Sequence, residues 1–447
     1  MSPEVTAAII AGSISVFTLI VTLVAQYFSR RVTSRDTKDA FNQQLTEQRK
    51  QLDRSFEEQR NQLDKTLDAQ SDQLDKTLAE QRTRTLNERF ATAADQLGSD
   101  KPAVRLAGVY AMAGLADDWE KNRQTCVDVL CAYLRMPYEP DPGQDASRPQ
   151  RLAFQAIREV RHTVIRVITA HLKDDASEPW QDLDFDFTGV AFDGGDFVGA
   201  HFRAGTVLFS EARFSGEVGF GHTLFSGGGV SFHGAEFSGG RVSFNDAQFS
   251  GGTVDFGGAQ FSGGTILFSG EFSGSTVHFG GAKFSGSTVR FGGRFRSAQF
   301  SGGRVSFTGA QFSGGTVDFA GAEFSGSPVS FNQARFSGGR VGFDDAEFSG
   351  GVSFNGAEFA GGEVDFYAAK FSGGEVDFYG AGFSRGKVDF EEAQFYGGTV
   401  RFDYALFTGG LVDFSKVRDW SYPPKFPWTG TPPPGVKLPS KEDPSQP

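Results

Sequence analysis

The sequence predicts a mixed fold in which an N-terminal transmembrane helix, a long coiled-coil helix and a small all-α domain precede an all-β solenoid. Three observations lead to this prediction: an uncharged stretch near the N-terminus, an 11-residue repeat that follows it, and a phenylalanine ladder in the second half of the chain. A fixed short period is typical of a solenoid, because each unit buries its apolar face only against its neighbours.

The phenylalanine ladder runs from Phe187 to Phe414 and contains 40 of the 48 phenylalanines. Its first members are five residues apart, and from Phe237 the unit F-S-G-G-x-V-x-F-x-x-A-x-F alternates spacings of seven and five. Residues two apart in an extended segment share one side. Each A-x-F or V-x-F therefore points two apolar groups inward and leaves the middle residue in water, while glycine and serine form the corners.

These units resemble those of the bacterial pentapeptide-repeat family, as in Ala247 before Phe249 and Ala259 before Phe261. The resemblance covers about half of the chain, residues 184–414. The chain departs from the family in using Phe where Leu is common and Val on alternate faces. The resemblance implies a right-handed, four-sided β-helix in which two successive units form one coil. A two-sided coil made of a single unit is the alternative that the period allows.

The uncharged stretch covers residues 7–28 and is long enough to cross a bilayer core as a helix. A basic segment, residues 29–40, follows it directly, so the positive-inside rule places residues 1–6 outside and the C-terminal bulk in the cytoplasm. The sequence therefore predicts a single-pass protein of the cell membrane.

Residues 41–90 carry the 11-residue repeat, and their apolar side chains are seven and four residues apart. Such spacing averages 3.67 residues per turn and predicts a nearly straight or slightly right-handed coiled coil. We expect a parallel homo-oligomer, a dimer or a trimer, formed through this stripe. The stripe consists of Leu45, Leu52, Phe56, Leu63, Leu67, Leu74 and Leu78.

Residues 91–175 predict a compact domain of three helices, the first of which resembles the opening helix of a HEAT-type repeat at Asp100, Val104 and Arg105. Cys126 and Cys131 are the two cysteines, and their spacing favours buried, reduced thiols. Residues 415–447 predict an aromatic segment that caps the last coil, followed after Gly430 by a disordered Pro-rich tail.

The sequence contains no catalytic motif that we recognise, and we expect no catalytic residue, no cofactor and no metal. Glu159 and His162 form a lone pair three residues apart, which favours a solvated helix face over a metal site. The serines recur after nearly every phenylalanine of the array, so they indicate corners rather than a nucleophile. The net charge of −12 argues against direct binding to nucleic acid.

The predicted function is a membrane-anchored, non-enzymatic scaffold that presents a rigid rod to an unidentified protein partner. The alternative is a DNA-mimicking modulator of gyrase or another topoisomerase, because some pentapeptide-repeat proteins resemble DNA in shape and acidity and bind gyrase. The array has a basic belt between Lys283 and Arg340 and an acidic C-terminal third. The candidate interaction face in that third consists of Asp365, Asp389, Asp413, Tyr367, Tyr379 and Tyr404.

Overall fold

The computed structural model describes residues 18–27, 35–139, 141–292, 298–326 and 328–440. The chain divides into two compact units, Met1–Thr85 and Leu86–Pro447. The first unit holds a helix over residues 18–27 and most of helix α1, Arg35–Leu97. Helix α1 contains neither glycine nor proline, so nothing in its sequence interrupts the backbone hydrogen bonds.

The predicted transmembrane helix is wrong, and with it the predicted single-pass localisation. Within the described residues, no helix combines the length and the apolar character that a bilayer crossing requires. Of the predicted span, the structure describes residues 18–27, which are helical, and α1 is long but polar. The rest of the predicted span, residues 7–17 and 28, lies outside the described residues.

The second unit begins with the end of α1 and three further helices: α2, Pro102–Asp118; α3, Arg123–Arg135; and α4, Arg148–His171. A short 3-10 helix, Glu120–Asn122, joins α2 to α3. Proline stands in the first turn of both α2 and α4, where its missing N–H is not needed. Ser147 and Gln150 form a capping box that begins α4.

The helices pack against the first coil of the solenoid. Arg161 of α4 is 3% exposed, and its guanidinium donates hydrogen bonds to the carbonyl oxygens of Leu134 at 2.7 Å and Ala191 at 2.9 Å. The backbone N–H of His201 donates to the carbonyl oxygen of Leu172 at 2.8 Å. Buried charge is tolerated here because each contact satisfies a donor.

The solenoid has four faces, which the chain visits in the order face 1, face 2, face 3, face 4. Among the described residues, face 1 is a ten-stranded parallel sheet and face 4 a nine-stranded one, while faces 2 and 3 share a sixteen-stranded sheet. In-register partners recur once in every two sequence units, as Val329 pairs with Val352 and Val352 with Val376. Each coil thus consists of two units and has four sides, and the two-sided alternative is excluded.

The strand bounds by face are as follows. Face 1 holds Phe185–Asp186, Thr206–Leu208, Gly229–Ser231, Thr253–Asp255, Thr276–His278, Arg304–Ser306, Val329–Ser330, Val352–Ser353, Glu375–Asp377 and Thr399–Arg401. Face 2 holds Glu236–Phe237, Gln260–Phe261, Lys283–Phe284, Gln311–Phe312 and Leu406–Phe407. Face 3 holds Arg241–Ser243, Thr265–Leu267, Thr288–Arg290, Thr316–Asp318, Leu411–Asp413 and Val436–Lys437.

Five longer strands run through faces 2 and 3 together: Ala191–Asp196, Arg213–Gly219, Arg335–Gly342, Glu358–Asp365 and Gly382–Asp389. Face 4 holds His201–Phe202, Leu224–Phe225, Gln248–Phe249, Glu271–Phe272, Gln299–Phe300, Glu323–Phe324, Glu347–Phe348, Lys370–Phe371 and Gln394–Phe395.

Stacked phenylalanine rings fill the interior. On face 2, for example, the ring centroids of Phe312, Phe336 and Phe359 are 4.8 Å apart from one to the next and nearly parallel. One step is longer than the period, because Phe272 pairs with Phe300. Residues 293–297, which lie in the sequence between these two strands, are outside the described residues.

Aromatic residues cover the last coil. Phe426 stacks on Phe402 with ring centroids 5.4 Å apart, and Trp428 meets Phe407 edge-on at 5.0 Å. The strand Val436–Lys437 then pairs with Leu411–Asp413. This strand lies where the sequence predicted a disordered tail, because Val436 is buried against the core.

Candidate functional site

The three aspartates of the predicted interaction face form one column on face 3. Asp365 pairs in register with Asp389, and Asp389 with Asp413. Adjacent parallel strands are about 4.8 Å apart, and like charges at this spacing repel each other. Some other feature of the fold must therefore offset the repulsion.

Basic residues from the same face supply that offset. Arg340 contacts Asp365 at 2.9 Å, Lys387 contacts Asp389 at 2.5 Å and Lys437 contacts Asp413 at 2.9 Å. In the neighbouring column of the same face, Arg340, Glu363 and Lys387 follow one another in register, so charge alternates along the rod. The sequence argument did not anticipate this ladder of alternating charge.

Each aspartate also holds the corner that follows it. One carboxylate oxygen of Asp365 accepts the N–H of Tyr367 at 3.0 Å, and Asp413 accepts the N–H of Ser415 at 2.9 Å. Burial acts against ionisation of Asp413, but hydrogen bonds from Ser415 and Lys437 lower the pKa of its carboxyl below the usual value. Asp389 is 8% exposed. The column is therefore less open to a partner than we expected.

Asp344 lies between faces 3 and 4 of the coil that precedes Asp365, and its ionised form is unfavourable there. Burial raises the pKa of its carboxyl to about 6, and the nearby Asp365 and Asp318 add to the increase, while Arg340 opposes it. Its Oδ1 atom is buried and has no hydrogen-bond partner within the part of the chain that is described. Such a group costs stability whenever it is ionised.

The three tyrosines of the predicted face are on two corners. Tyr379 and Tyr404 stand together between faces 1 and 2, with ring centroids 5.0 Å apart. Tyr367 stands at the diagonally opposite corner, between faces 3 and 4, beside Asp365. The predicted face is therefore two sites rather than one.

Among the described residues of the solenoid, the Tyr379–Tyr404 corner has the most exposed aromatic side chain. Tyr404 is 71% exposed and has a φ of 57°, in the left-handed region where a bulky residue is rare. Leu406, 62% exposed, follows it on face 2 and was missed by the sequence analysis. Its place as the middle residue of A-L-F could have revealed it, since that position points outward.

Acidic groups surround the tyrosine corner. Arg401 forms ion pairs with Glu375 at 2.6 Å and with Asp403 at 2.8 Å. Burial raises the pKa of Asp377, and Glu375 and Asp403 reinforce the increase, while the N–H of Tyr379 and the charge of Arg401 oppose it. Three carboxylates thus stand against one guanidinium next to the exposed rings. A cation brought to this corner would be attracted by the carboxylates and by the ring faces.

The predicted basic belt is spread over three faces. Lys283 and Arg335 are on face 2, Arg290 and Arg340 on face 3, and Arg304 on face 1. Arg294 and Arg296 lie outside the described residues. Arg340 is already committed to Asp344 and Asp365. The described residues of the belt therefore form no single basic surface.

The apolar stripe of α1 is on the surface of that helix. The exposed members range from Phe56 at 37% to Leu63 and Leu74 at 59%, and Leu45 is half-buried. The coiled coil remains a prediction, because its test requires a second chain.

The helical part of the second unit contains a polar cluster that joins α4 to the first coil. Asp193 accepts hydrogen bonds from Tyr138 at 2.7 Å and from Arg158 at 2.9 Å. It also contacts Nε2 of His162 at 3.0 Å. Burial opposes ionisation of Asp193, but the bonds from His162 and Tyr138 outweigh it and lower its pKa to about 2. His162 is thus tied to the solenoid rather than solvated, which favours a structural role for the cluster.

The two cysteines are buried and unpaired. Burial raises the pKa of Cys126 to about 11 and that of Cys131 to about 12, so both stay protonated at neutral pH. Within the described residues, no group of three or more His, Cys, Asp or Glu side chains is placed to hold a metal ion.

The four-sided coil, with phenylalanine and alanine or valine pointing inward at each step, defines a parallel β-solenoid built on a five-residue repeat. A family model described as "Pentapeptide repeats (9 copies)" matches residues 314–358, within the array. Neither a curated protein nor a solved structure matches the chain. The family match and the solenoid together support a pentapeptide-repeat protein.

Proposed function

We propose that this protein is a non-enzymatic interaction module whose solenoid presents the Tyr379–Tyr404 corner to a protein partner that is both cationic and apolar. One observation carries the proposal. Within the described solenoid and its C-terminal cap, the large apolar or aromatic side chains exposed at the surface are concentrated after residue 366, with Val198 as the exception. Exposed aromatic clusters are typical of binding surfaces.

The conformation of Tyr404 supports the same corner. Most equivalent positions in other coils carry glycine or a polar residue, as at Gly309, Gly380 and Asp345. A tyrosine at positive φ costs folding free energy and exposes a large ring to water. Backbone strain at an exposed aromatic residue favours a functional role over a structural one.

The acidic column makes a smaller contribution in this proposal. Asp365, Asp389 and Asp413 are engaged by Arg340, Lys387 and Lys437, so a partner's cation would have to displace existing ion pairs. The carboxylates around Tyr379 are only partly neutralised, which makes that corner the stronger attractor for a basic group.

The test compares two variants of the full-length chain in affinity capture from a cell extract. The double variant Tyr379→Ala/Tyr404→Gly removes the corner, and Tyr367→Ala removes an exposed tyrosine from the opposite corner as a matched control. Buried interface tyrosines contribute about 2 kcal/mol or more each, so the double variant should lose more than about tenfold of the captured partner. Equal capture by the parent and both variants, with no variant melting below the parent, would reject the proposal.

A triple variant, Asp365→Asn/Asp389→Asn/Asp413→Asn, separates the acidic column from the tyrosine corner. We expect it to retain most of the partner. Loss of capture with this variant and not with the tyrosine variant would transfer the binding role to the column.

The second candidate is a modulator of gyrase or another topoisomerase. Two observations favour it. The acidic column places one carboxylate on each coil, as DNA places phosphates at regular intervals, and the net charge of the chain is −12. Purified gyrase provides the test. If the parent chain inhibits supercoiling and the triple aspartate variant does not, this candidate replaces the first.

A further inference from the structure

The surface of α1 on either side of its apolar stripe is divided into a charged side and an uncharged side. Each 11-residue repeat begins at Leu45, Phe56, Leu67 or Leu78, and the residues of such a repeat advance by about 98° each around the helix. Over residues 48–82, the uncharged side consists of the fourth and eleventh residues: Gln48, Gln59, Gln70, Gln81, Ser55, Thr66 and Thr77. The charged side consists of the fifth and ninth: Arg49, Arg60, Ser71, Arg82, Asp53, Asp64 and Asp75.

The threonines make the uncharged side more apolar than its sequence indicates. The hydroxyl of Thr66 donates to the carbonyl oxygen of Gln62 at 2.7 Å, and that of Thr77 to Gln73 at 2.8 Å. Each hydroxyl is thereby satisfied within the helix, and the methyl group remains at the surface.

We propose that α1 pairs with a second copy of this chain as a parallel, in-register, two-stranded coiled coil. The stripe has two apolar positions in each repeat, which is the width that a two-stranded seam buries. In register, each stripe residue meets its own counterpart, so that Leu63 faces Leu63 of the second copy and Phe56 faces Phe56.

The division of charge favours the parallel arrangement. A two-fold axis along the helices sets the charged side of one copy against the uncharged side of the other, so that Arg60 reaches the amide oxygen of Gln59 of the second copy. An antiparallel pair that keeps the stripe together would match Phe56 with Leu63. It would then bring Arg60 near Arg60 and Asp53 near Asp64, and like charges across a seam are unfavourable.

The fourth and fifth residues form polar layers that recur in every repeat. The glutamine and arginine of one layer, such as Gln59 and Arg60, lie between apolar layers at Phe56 and Leu63. Polar layers in a coiled coil specify register, because any shift that is not a whole repeat buries their donors against leucine. A shift by a whole repeat loses two of the seven layers of the stripe.

The experiment introduces single cysteines into the full-length chain. Leu63→Cys should form a disulfide with its own copy under mild oxidation, because the two side chains meet across the seam. Asn61→Cys, on the opposite side of the helix, is the matched control. We expect at least about tenfold more cross-linked chain from Leu63→Cys, since the seam supplies a high effective concentration. The buried thiols of Cys126 and Cys131 do not interfere.

A mixture of Phe56→Cys and Leu63→Cys chains distinguishes the orientations. Cross-linking confined to the mixture would show an antiparallel pair and overturn the proposal, as would equal cross-linking by Leu63→Cys and Asn61→Cys. Sedimentation equilibrium of the parent should give twice the mass of one chain, and Leu52→Ser/Leu63→Ser should give one. A mass of three chains, or of one chain for the parent, would also overturn the proposal. Unchanged melting of the solenoid would show that the double serine variant is folded.

Discussion

The solenoid changes direction at two kinds of corner, which differ in how the backbone turns and in what the corner contacts. The F-x-x-A corners, between faces 1 and 2 and between faces 3 and 4, are β-turns closed by a hydrogen bond from the alanine N–H to the phenylalanine carbonyl, as from Ala310 to Phe307 at 3.0 Å. The S-G-G corners, between faces 2 and 3 and between faces 4 and 1, press instead against the coil before them. A Cβ on Gly315 would overlap the carbonyl oxygen of Ser287.

This difference determines which corner tolerates substitution. The third residue of the F-x-x-A corner has positive φ, and seven described residues other than glycine occupy this position, among them Ala368 and Tyr404. All positive-φ residues at the described S-G-G corners are glycines. A residue with a side chain can adopt positive φ at a modest cost in free energy. It cannot be accommodated where its Cβ would overlap the backbone of the neighbouring coil. A side chain can therefore stand at the positive-φ position of the first kind of corner but not at that of the second.

The largest expected effect tests this distinction directly. Gly315→Ala and Gly309→Ala both place a Cβ on a residue with φ near 70°, but the Cβ at Gly309 would have its nearest neighbour at 4.0 Å. We expect Gly315→Ala to lower the free energy of unfolding by about 3 kcal/mol or more, from backbone strain and overpacking, and Gly309→Ala to lower it by about 1 kcal/mol. Chemical denaturation measures both, and equal losses would show that contact between coils is unimportant.

Asp344 lies in an F-x-x-A corner that is made unfavourable by charge rather than by shape. Its pKa of about 6 in the folded state exceeds its ordinary value, so the folded state binds the proton more tightly than the unfolded state does. The stability contributed by the protonated form is therefore present below about pH 4 and lost as the pH rises through 6.

We accordingly expect Asp344→Asn to stabilise the protein by about 1 to 2 kcal/mol at pH 7.5, discounted for partial exposure, and to have little effect near pH 4. Melting curves across this pH range provide the measurement. Asp345→Asn, one residue further along the same corner, is the control. A stabilisation that does not vary with pH would contradict the assignment of the shift to Asp344.

The smallest expected effect has the opposite sign to the first. Ala368 has a φ of 53° and no side-chain function that its position requires. Ala368→Gly should raise the free energy of unfolding by a few tenths to about 1 kcal/mol, because relief of strain exceeds the added entropy of the unfolded chain. Ala369→Gly, which removes a fully buried methyl group at the next residue, should lower it. A destabilising Ala368→Gly would show that these corners are not strained.

The repeat predicted the interior of the solenoid well, since the length of a four-sided coil follows from the spacing of the phenylalanines and the side that each residue faces follows from the two-residue alternation. The same period could have separated the tyrosines. Tyr367 and Tyr379 are half a coil apart and therefore on opposite corners, whereas Tyr404 is one coil beyond Tyr379. The charges around Asp389 could not be predicted in this way, because Lys387 reaches it along the same strand and Arg340 reaches Asp365 from the preceding coil.

The transmembrane prediction shows the opposite limit. It relied on the apolar composition of residues 7–28 and on the basic residues that follow, without a repeat to support it. Composition alone was not sufficient, because no helix within the described residues combines the length and the apolar character that a bilayer crossing requires. The periodic pattern of the array predicted the fold more reliably than this single apolar stretch did, because every repeat is consistent with the same geometry.

Because aromatic residues cover the last coil, the number of coils in the sequence determines the length of the solenoid. An open end would present unpaired N–H and carbonyl groups to a second molecule and invite filaments of arbitrary extent, but Trp428 and the strand Val436–Lys437 occupy that position. Gene duplication of one whole coil inside the array would thus add about 4.8 Å to the solenoid without changing its C-terminal cover. The length of the solenoid can therefore change during evolution in steps of one whole coil.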